Sequence, residues 1–334
     1  MKKLLIIDGS SLLTTSYYGN LPNSMKFAKT REEKALHYGE ILQSKDGLYT
    51  NAIYGFLTTM FNLIKSAKPD YFAVCWDMGR NTFRRQEFAE YKANRKETEE
   101  PLKQQFKHMQ QTLEFIEVKN FMSEDFEADD YAGTLGKMFQ EDVQVIYFTK
   151  DEDYLQLVDG NKSIVWMPNK NPQDFYATFS MMVPNYLPKD VIEYNEDVLM
   201  KDKSLKPFQI IEFKGLSGDS ADNIPGIPGI GPKTATALLN NFNTVDDIFN
   251  FIDGKDKKSI QKEFKAKEIS RCPIEKLQSG KESAKMSVKL ATIKRDIPLD
   301  VSIEELTYKL NLHALARILK RLDFNVEKFM SKIN

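Results

Sequence analysis

Two cysteines and three histidines are all that 334 residues hold of the side chains that favour soft metals. Cys75 and Cys272 stand far apart, which excludes a disulfide framework and a cysteine-rich zinc site. The scattered His37, His108 and His313 argue against histidine-based zinc chemistry. Long apolar runs are missing too. Lys2 and Lys3 precede only four apolar residues, 4–7, before Asp8, too few for a signal peptide. No stretch approaches the roughly 20 apolar residues of a membrane span. Charge of one sign is not in excess either, since 47 Lys and Arg meet 48 Asp and Glu for a formal net of −1. That balance excludes a uniformly basic nucleic-acid coat but not basic and acidic regions that cancel. No repeat and no low-complexity segment is found. A reduced, cytoplasmic protein with no membrane partner is expected.

What is present is an α/β pattern. Residues 4–7, 71–76 and 143–148 are short apolar runs with the β-branched and aromatic content of buried parallel strands, and 163–167 is a fourth candidate. Between them Ile53, Phe56, Leu57, Met60, Phe61 and Ile64 recur at helical spacing, as do Leu102, Phe106, Met109, Leu113 and Ile116. Strands separated by helices predict a sheet with right-handed crossovers. Residues 168–207 read as a connector. The stretch 219–231 is dense in turn formers, and Pro232 and Lys233 then open a helix. Thr244 with Asp247 predicts a helix cap, and 310–322 is amphipathic. From 254 to 295 there are 13 Lys and Arg against 5 Asp and Glu, a local net of +8.

The carboxylates fall where strands end. Asp8 and Asp77 directly follow the first two runs and Asp151 closely follows the third. In open α/β sheets ligands gather beyond the carboxyl ends of the strands. EDFEADD at 124–130 adds five carboxylates in seven positions, Asp153 lies two residues past Asp151, and Asp219 and Asp222 sit in the glycine-rich turn. Any one of these alone is more often a cap, a turn residue or a solvated charge. Together they form an oxygen-only set that selects hard cations, Mg²⁺ or Mn²⁺. Their number suits two ions about 4 Å apart, the arrangement that cleaves phosphodiesters.

Positive charge lies beside this rim. Residues 80–107 carry Arg84, Arg85, Lys92, Arg95 and Lys96 among Phe83, Phe88 and Tyr91, with five glutamates interspersed. A solvated helix with compensating pairs is one reading, a phosphate-gripping element with a stacking aromatic the other. GIPGIGPKT at 226–234 is not a P-loop, because Pro232 separates the second glycine from the lysine and no strand precedes it. It fits a hairpin between helices whose backbone N–H groups approach a phosphate, although a plain helix start is the simpler alternative.

These residues stand in motifs. IIDGSS at 6–11, WDMGRNTFRR at 76–85, YKANR at 91–95, EADD at 127–130, TKDEDYLQLV at 149–158, GDSADNIPGIPGIGPKTA at 218–235 and KLATIKRD at 289–296 follow one another in order. In them the chain resembles the 5′ nuclease (flap endonuclease-like) family, which includes the 5′-nuclease domain of bacterial DNA polymerase I and free-standing bacterial and phage counterparts. The resemblance covers about 1–296. It implies an α/β, parallel-sheet (PIN-like) nuclease core over 1–180 with a helical arch at about 80–110. A helix–three-turn–helix DNA-binding region over 206–296 and a C-terminal helical segment, 297–334, follow. It further implies divalent-metal-dependent cleavage of DNA near single-strand/duplex junctions at a 5′ flap, overhang or nick.

Carried onto this chain, Asp8, Asp77, Glu127, Asp129, Asp130 and Asp151 match a first metal site, and Asp153, Asp219 and Asp222 a second. Lys92 and Arg95 match the basic pair that contacts the scissile phosphate, with Arg84 in support and Tyr91 as a stacking residue. Gly229, Gly231, Lys233 and Thr234 match the element that grips the duplex. The carbonyls of Leu216, Ser217, Pro225, Ile227 and Ile230 match a potassium (K⁺) site. Departures exist: Thr15 stands where relatives often carry Arg, and 20–46 and 168–207 look extended. With no room for a polymerase domain before Asn334, a free-standing monomer acting beside a separate DNA polymerase is expected. A non-catalytic junction-binding module and a related RNA nuclease are the rival readings.

Overall fold

The computed structural model describes every residue except Arg80, Ser270, Arg271 and Asn334; Arg80 of the second motif therefore lies outside the described residues. Six strands form one sheet: β1 Lys3–Asp8, β2 Tyr71–Cys75, β3 Lys119–Phe121, β4 Gln144–Phe148, β5 Ser163–Pro168 and β6 Val191–Tyr194. Their order is β3-β2-β1-β4-β5-β6. All neighbours pair in parallel except β5 and β6. The four apolar runs of the sequence become β1, β2, β4 and β5, and nearly all their residues are buried because helices cover both faces.

The chain winds from β1 outward to β2 and β3, then returns to the other side of β1 with β4. That reversal opens a crevice beyond the carboxyl ends of β1 and β4, the place where doubly wound sheets bind ligands. Asp8 is the last residue of β1, and Asp151 lies three residues past β4. Gly9 follows Asp8 because a Cβ there would meet the Trp76 ring at 2.7 Å, which fixes how closely the helix Gly9–Gly19 crosses the strand ends.

One face of the sheet carries the helices Gly9–Gly19, Asn51–Ala67 and Glu100–Phe115. The other carries Ala128–Phe139 and continues into the helices of the second half. The expected connector at 168–207 holds more order than its composition suggests: helix Pro172–Thr178, strand β6 and helix Glu196–Lys203, capped by Asn195. Helix Gln209–Ser217 leads into the glycine turn and Pro232–Phe242 leaves it. Thr244 accepts from the Asp247 N–H at 3.1 Å and starts helix Val245–Ile252, as its sequence predicts. Of the last helices, Val326–Ile333 packs back against Asn51–Ala67 and Leu312–Arg321 against Glu100–Phe115.

The expected helical arch is helical only at its feet. Helix Phe83–Glu87 is one short turn, Glu100–Phe115 is long, and the residues between form turns and extended chain. The stretch KANRKETEE at 92–100 has no apolar periodicity to bury. Lys92 adopts a left-handed φ of 53°, a conformation that costs about 1–3 kcal/mol outside glycine and that surrounding contacts must hold. Here its N–H donates to the Asp222 carbonyl at 2.9 Å.

Candidate active site

Small hydroxyl side chains position the rim. The Ser11 N–H donates to Asp8 Oδ1 at 2.9 Å and the Thr149 hydroxyl to Asp8 Oδ2 at 2.8 Å. The Asp151 N–H donates to the same Thr149 hydroxyl at 3.0 Å. The Ser10 hydroxyl accepts from the Asp77 N–H at 2.8 Å, and Asp77 Oδ1 accepts from the Ala128 N–H at 2.9 Å. Asp77 thus sits at the start of the helix that bears Asp129, where negative charge is stabilised by the helix dipole. Burial pushes the Asp8 carboxyl up to about 7, and the charges of Asp77 and then Asp151 add to it. Repulsion of this kind marks carboxylates gathered closely enough to need a cation between them.

Asp129 is also pushed well up, by burial and then by Asp130, and its Oδ1 has no hydrogen-bond partner and lies 3.9 Å from Arg84. Glu127 behaves oppositely: burial works upward, but the charges of Lys92 and Arg84 outweigh it and hold Glu127 below the usual carboxylate range. Lys92 Nζ reaches Glu127 at 2.8 Å and Asp222 at 3.6 Å. Arg95 meets Asp222 at 2.6 Å, and the Lys214 ammonium contacts both Asp153 and Asp219. A cleft of about 790 Å³ runs past Asp8, Asp77, Arg95, Asp151, Lys214 and Asp222. A second cavity of about 570 Å³ under the arch shares Asp77 and Arg95 with it and adds Arg85, Lys92 and Glu127.

Asp8, Asp77, Glu127, Asp151, Asp219 and Asp222 therefore line two adjoining cavities rather than two tight ligand shells. Among the described residues no three His, Cys, Asp or Glu side chains stand in metal-holding geometry; Arg84, Lys92, Arg95 and Lys214 instead pair with Glu127, Asp129, Asp130, Asp153, Asp219 and Asp222. Three assignments need correction. Asp130 is fully buried and its oxygens are taken by Arg84 at 2.7 and 2.8 Å, the Glu127 N–H at 3.1 Å and the Lys294 N–H at 2.8 Å. It is a positioning residue, not a ligand. Arg84 is 1% exposed and also donates to the Leu290 and Thr292 carbonyls at 3.1 and 2.9 Å, so it cannot reach a phosphate. Tyr91 is 4% exposed, its hydroxyl donates to Glu127 at 3.1 Å, and the Lys92 ammonium lies over its ring, 4.9 Å from the centre, where a stacking base would have to sit.

The glycine turn is built as a close approach of backbone to backbone. Gly226 has φ of 58°, and a Cβ there would overlap the Gly218 backbone. The Gly226 N–H donates to the Ser287 hydroxyl at 2.9 Å, and the Ser283 hydroxyl donates to the Gly226 carbonyl at 2.6 Å. Gly229, Gly231 and Lys233 are exposed and Thr234 half-buried, beside the N-terminus of Pro232–Phe242. Arch and turn are joined: the Asn94 amide donates to the Ser220 carbonyl at 2.8 Å and that of Asn223 to the Glu90 carbonyl at 2.7 Å. Residues 3–183 match the family model of the 5′-3′ exonuclease N-terminal resolvase-like domain, and 205–313 that of the 5′-3′ exonuclease C-terminal SAM fold.

The chain belongs to the 5′-3′ exonuclease family. Among members of known name, DNA polymerase I of Bacillus subtilis is 34% identical over 97% of this chain, which spans 32% of that polymerase. The 5′-3′ exonuclease of the same organism is 27% identical over 99% of this chain and 97% of its own. Two solved structures share the fold of this 5′-3′ exonuclease family member. The T5 5′-exonuclease with bound divalent zinc has a TM-score of 0.59 at 20% identity, both chains covered in full. The catalytic core of Rad2 with DNA substrate has a TM-score of 0.52 at 16% identity, covering 99% of this chain and 91% of that one.

Within this frame, the residues that sequence reasoning passed over are Ser10, Ser11, Thr149 and Lys214. The first three stand beside the acids inside the IIDGSS and TKDEDYLQLV motifs, so the motif itself was the signal. Lys214 had none, since it lies five residues before Asp219 in a short stretch with no distinct apolar face.

Proposed function

We propose that this member of the family is a divalent-metal-dependent, structure-specific 5′ nuclease that hydrolyses DNA phosphodiesters at 5′ flaps, overhangs and nicks. The observation that carries it is the cleft in which Asp8, Asp77 and Asp151, delivered by three parallel strands, face Arg95 and, through Asp77, the cavity that holds Lys92. The donor set suits Mg²⁺ or Mn²⁺: it is all oxygen, Asp129 Oδ1 accepts no hydrogen bond, and Asp8 is driven upward by burial and then by its acidic neighbours. Asp8, Asp77, Asp129 and Asp151, with Glu127 adjoining, would hold one ion, and Asp153, Asp219 and Asp222 the other. Such ions lower the pKa of water and neutralise charge on a phosphodiester in hydrolysis.

The chain's own residues bind and orient. Lys92 and Arg95, now paired with Glu127 and Asp222, would exchange those carboxylates for the phosphate at the cleavage position. Exposed Gly229, Gly231 and Lys233 would follow the duplex backbone, with Thr234 beside them. Carbonyls of Leu216, Ser217, Pro225, Ile227 and Ile230 are the candidate K⁺ donors; that of Leu216 already accepts the Ile227 N–H at 2.8 Å. No helix among the described residues is long and apolar enough to cross a membrane. A cytoplasmic monomer working beside a separate DNA polymerase is the setting we propose.

Incubating the protein with a 5′-labelled flap duplex should release short 5′ fragments with Mg²⁺ and none with chelator. Binding without cleavage would instead assign a junction-binding module, and preferential cleavage of RNA flaps an RNA nuclease. Lys233→Ala should weaken duplex binding and lower the slope of log K against log salt by about 1, as for one lost phosphate contact. Binding isotherms at several salt concentrations measure it.

A further inference from the structure

Three cations face the second acidic group, and they differ in what carries them. Arg95, whose side chain is 48% exposed, and Lys92 both belong to the turn segment of the arch, outside any helix. Lys214 does not. It sits in the last turn of helix Gln209–Ser217, which packs on helix Lys281–Ala291 and against the segment 152–157 that carries Asp153. Its side chain is 15% exposed, and the ammonium touches Asp153 of the sheet half and, at 2.6 Å, Asp219 of the glycine turn. The pairing therefore ties the two halves of the chain together at the carboxylates.

We propose that Lys214 is the resident counter-ion of the second acidic group. On this assignment a divalent cation engages Asp153 and Asp219 only in exchange for the Lys214 ammonium, and so binds there more weakly than at Asp8, Asp77, Asp129 and Asp151. The inference rests on the metal-dependent reading above. Its physical ground is that two shielded carboxylates require an opposing charge. Here one is covalently attached, at high local concentration, and a metal must compete with it. Among the described residues no lysine pairs with Asp8, Asp77, Asp129 or Asp151, and the cation beside Asp129 is Arg84, no closer than 3.9 Å. A chain built this way keeps its glycine turn docked on the core whether or not the second ion is bound, and loads that ion only at higher metal concentration.

The test is a Mn²⁺ titration of the full chain, free Mn²⁺ being read by electron paramagnetic resonance. The wild type should bind one ion tightly and a second weakly. Lys214→Met should tighten the weak phase at least tenfold and leave the tight phase within twofold, whereas Lys214→Arg should match the wild type. An unchanged weak phase in Lys214→Met overturns the proposal while the metal-dependent reading stands. Absence of both phases from the wild type overturns that reading together with the proposal. Should Lys214→Met not fold, as judged by circular dichroism, acetylation of wild-type Lys214 by acetic anhydride replaces it. Mass spectrometry should show that acetylation rising several-fold at saturating Mn²⁺, and an unchanged rate overturns the proposal.

Discussion

Asp151→Asn is expected to give a folded protein that binds a 5′-flap duplex and barely cuts it, with single-turnover cleavage lower by on the order of 10²–10³-fold, the usual loss when one charge-handling group is removed. Asparagine keeps Oδ1, which accepts the Asp153 N–H at 2.9 Å, so the local turn survives. What disappears is one negative charge beside Asp8, whose carboxyl is driven up to about 7 by burial and by the charges of Asp77 and Asp151. Relief of that repulsion should leave the metal-free protein as stable as the wild type or more so in a thermal melt. Duplex binding should hold or strengthen, because a phosphate meets less negative potential. Wild-type cleavage by this variant would remove Asp151, and with it the strand-end carboxylate cleft, from the catalytic assignment.

Arg84→Met is expected to fail differently, as a loss of fold rather than of substrate contact. Arg84 is enclosed by Glu127 and Asp130 and by the carbonyls of Leu290 and Thr292. Its charged form is strengthened by Asp129 and Asp130 even against the cost of burial. Taking the cation away leaves Asp130 buried without an opposing charge, a situation that costs about 3–5 kcal/mol. Urea unfolding should show that loss with no DNA present. An Arg84→Met protein with a wild-type urea midpoint and weakened DNA binding alone would return Arg84 to the phosphate-contacting role that its position in the motif suggests.

The same arginine shows where sequence stops informing. Strands β1, β2, β4 and β5 were legible because each is a dense apolar run, and Asp8 and Asp77 were placed at the cleft by standing where those runs end. Strand β3 has three residues, half-exposed at the sheet edge, and β6 has four inside a polar stretch; neither offers enough periodicity to separate it from loop. Arg84 looked like its neighbour Arg85, and nothing local distinguishes an arginine facing DNA from one facing Leu290, 206 residues away. Pairing of Lys214 with Asp153 escaped for the same reason. A charge reveals its type in the sequence, and its partner only in the fold.

The return of the chain's last helices has a kinetic meaning. Tyr54 and Phe61, on the helix that backs the catalytic sheet, complete their packing against Phe329, and Lys328 donates to the Tyr54 hydroxyl at 3.0 Å across 274 residues. Contacts so distant along the chain are slow to form, since closing a long loop costs entropy before any packing returns it. Without Phe324 and Phe329 the ring faces of Tyr54 and Phe61 that they cover would stand open. The helix behind the strands that bear the acids thus owes one of its faces to residues as far along the chain as Phe329, and the cleft rests on both ends of the described chain.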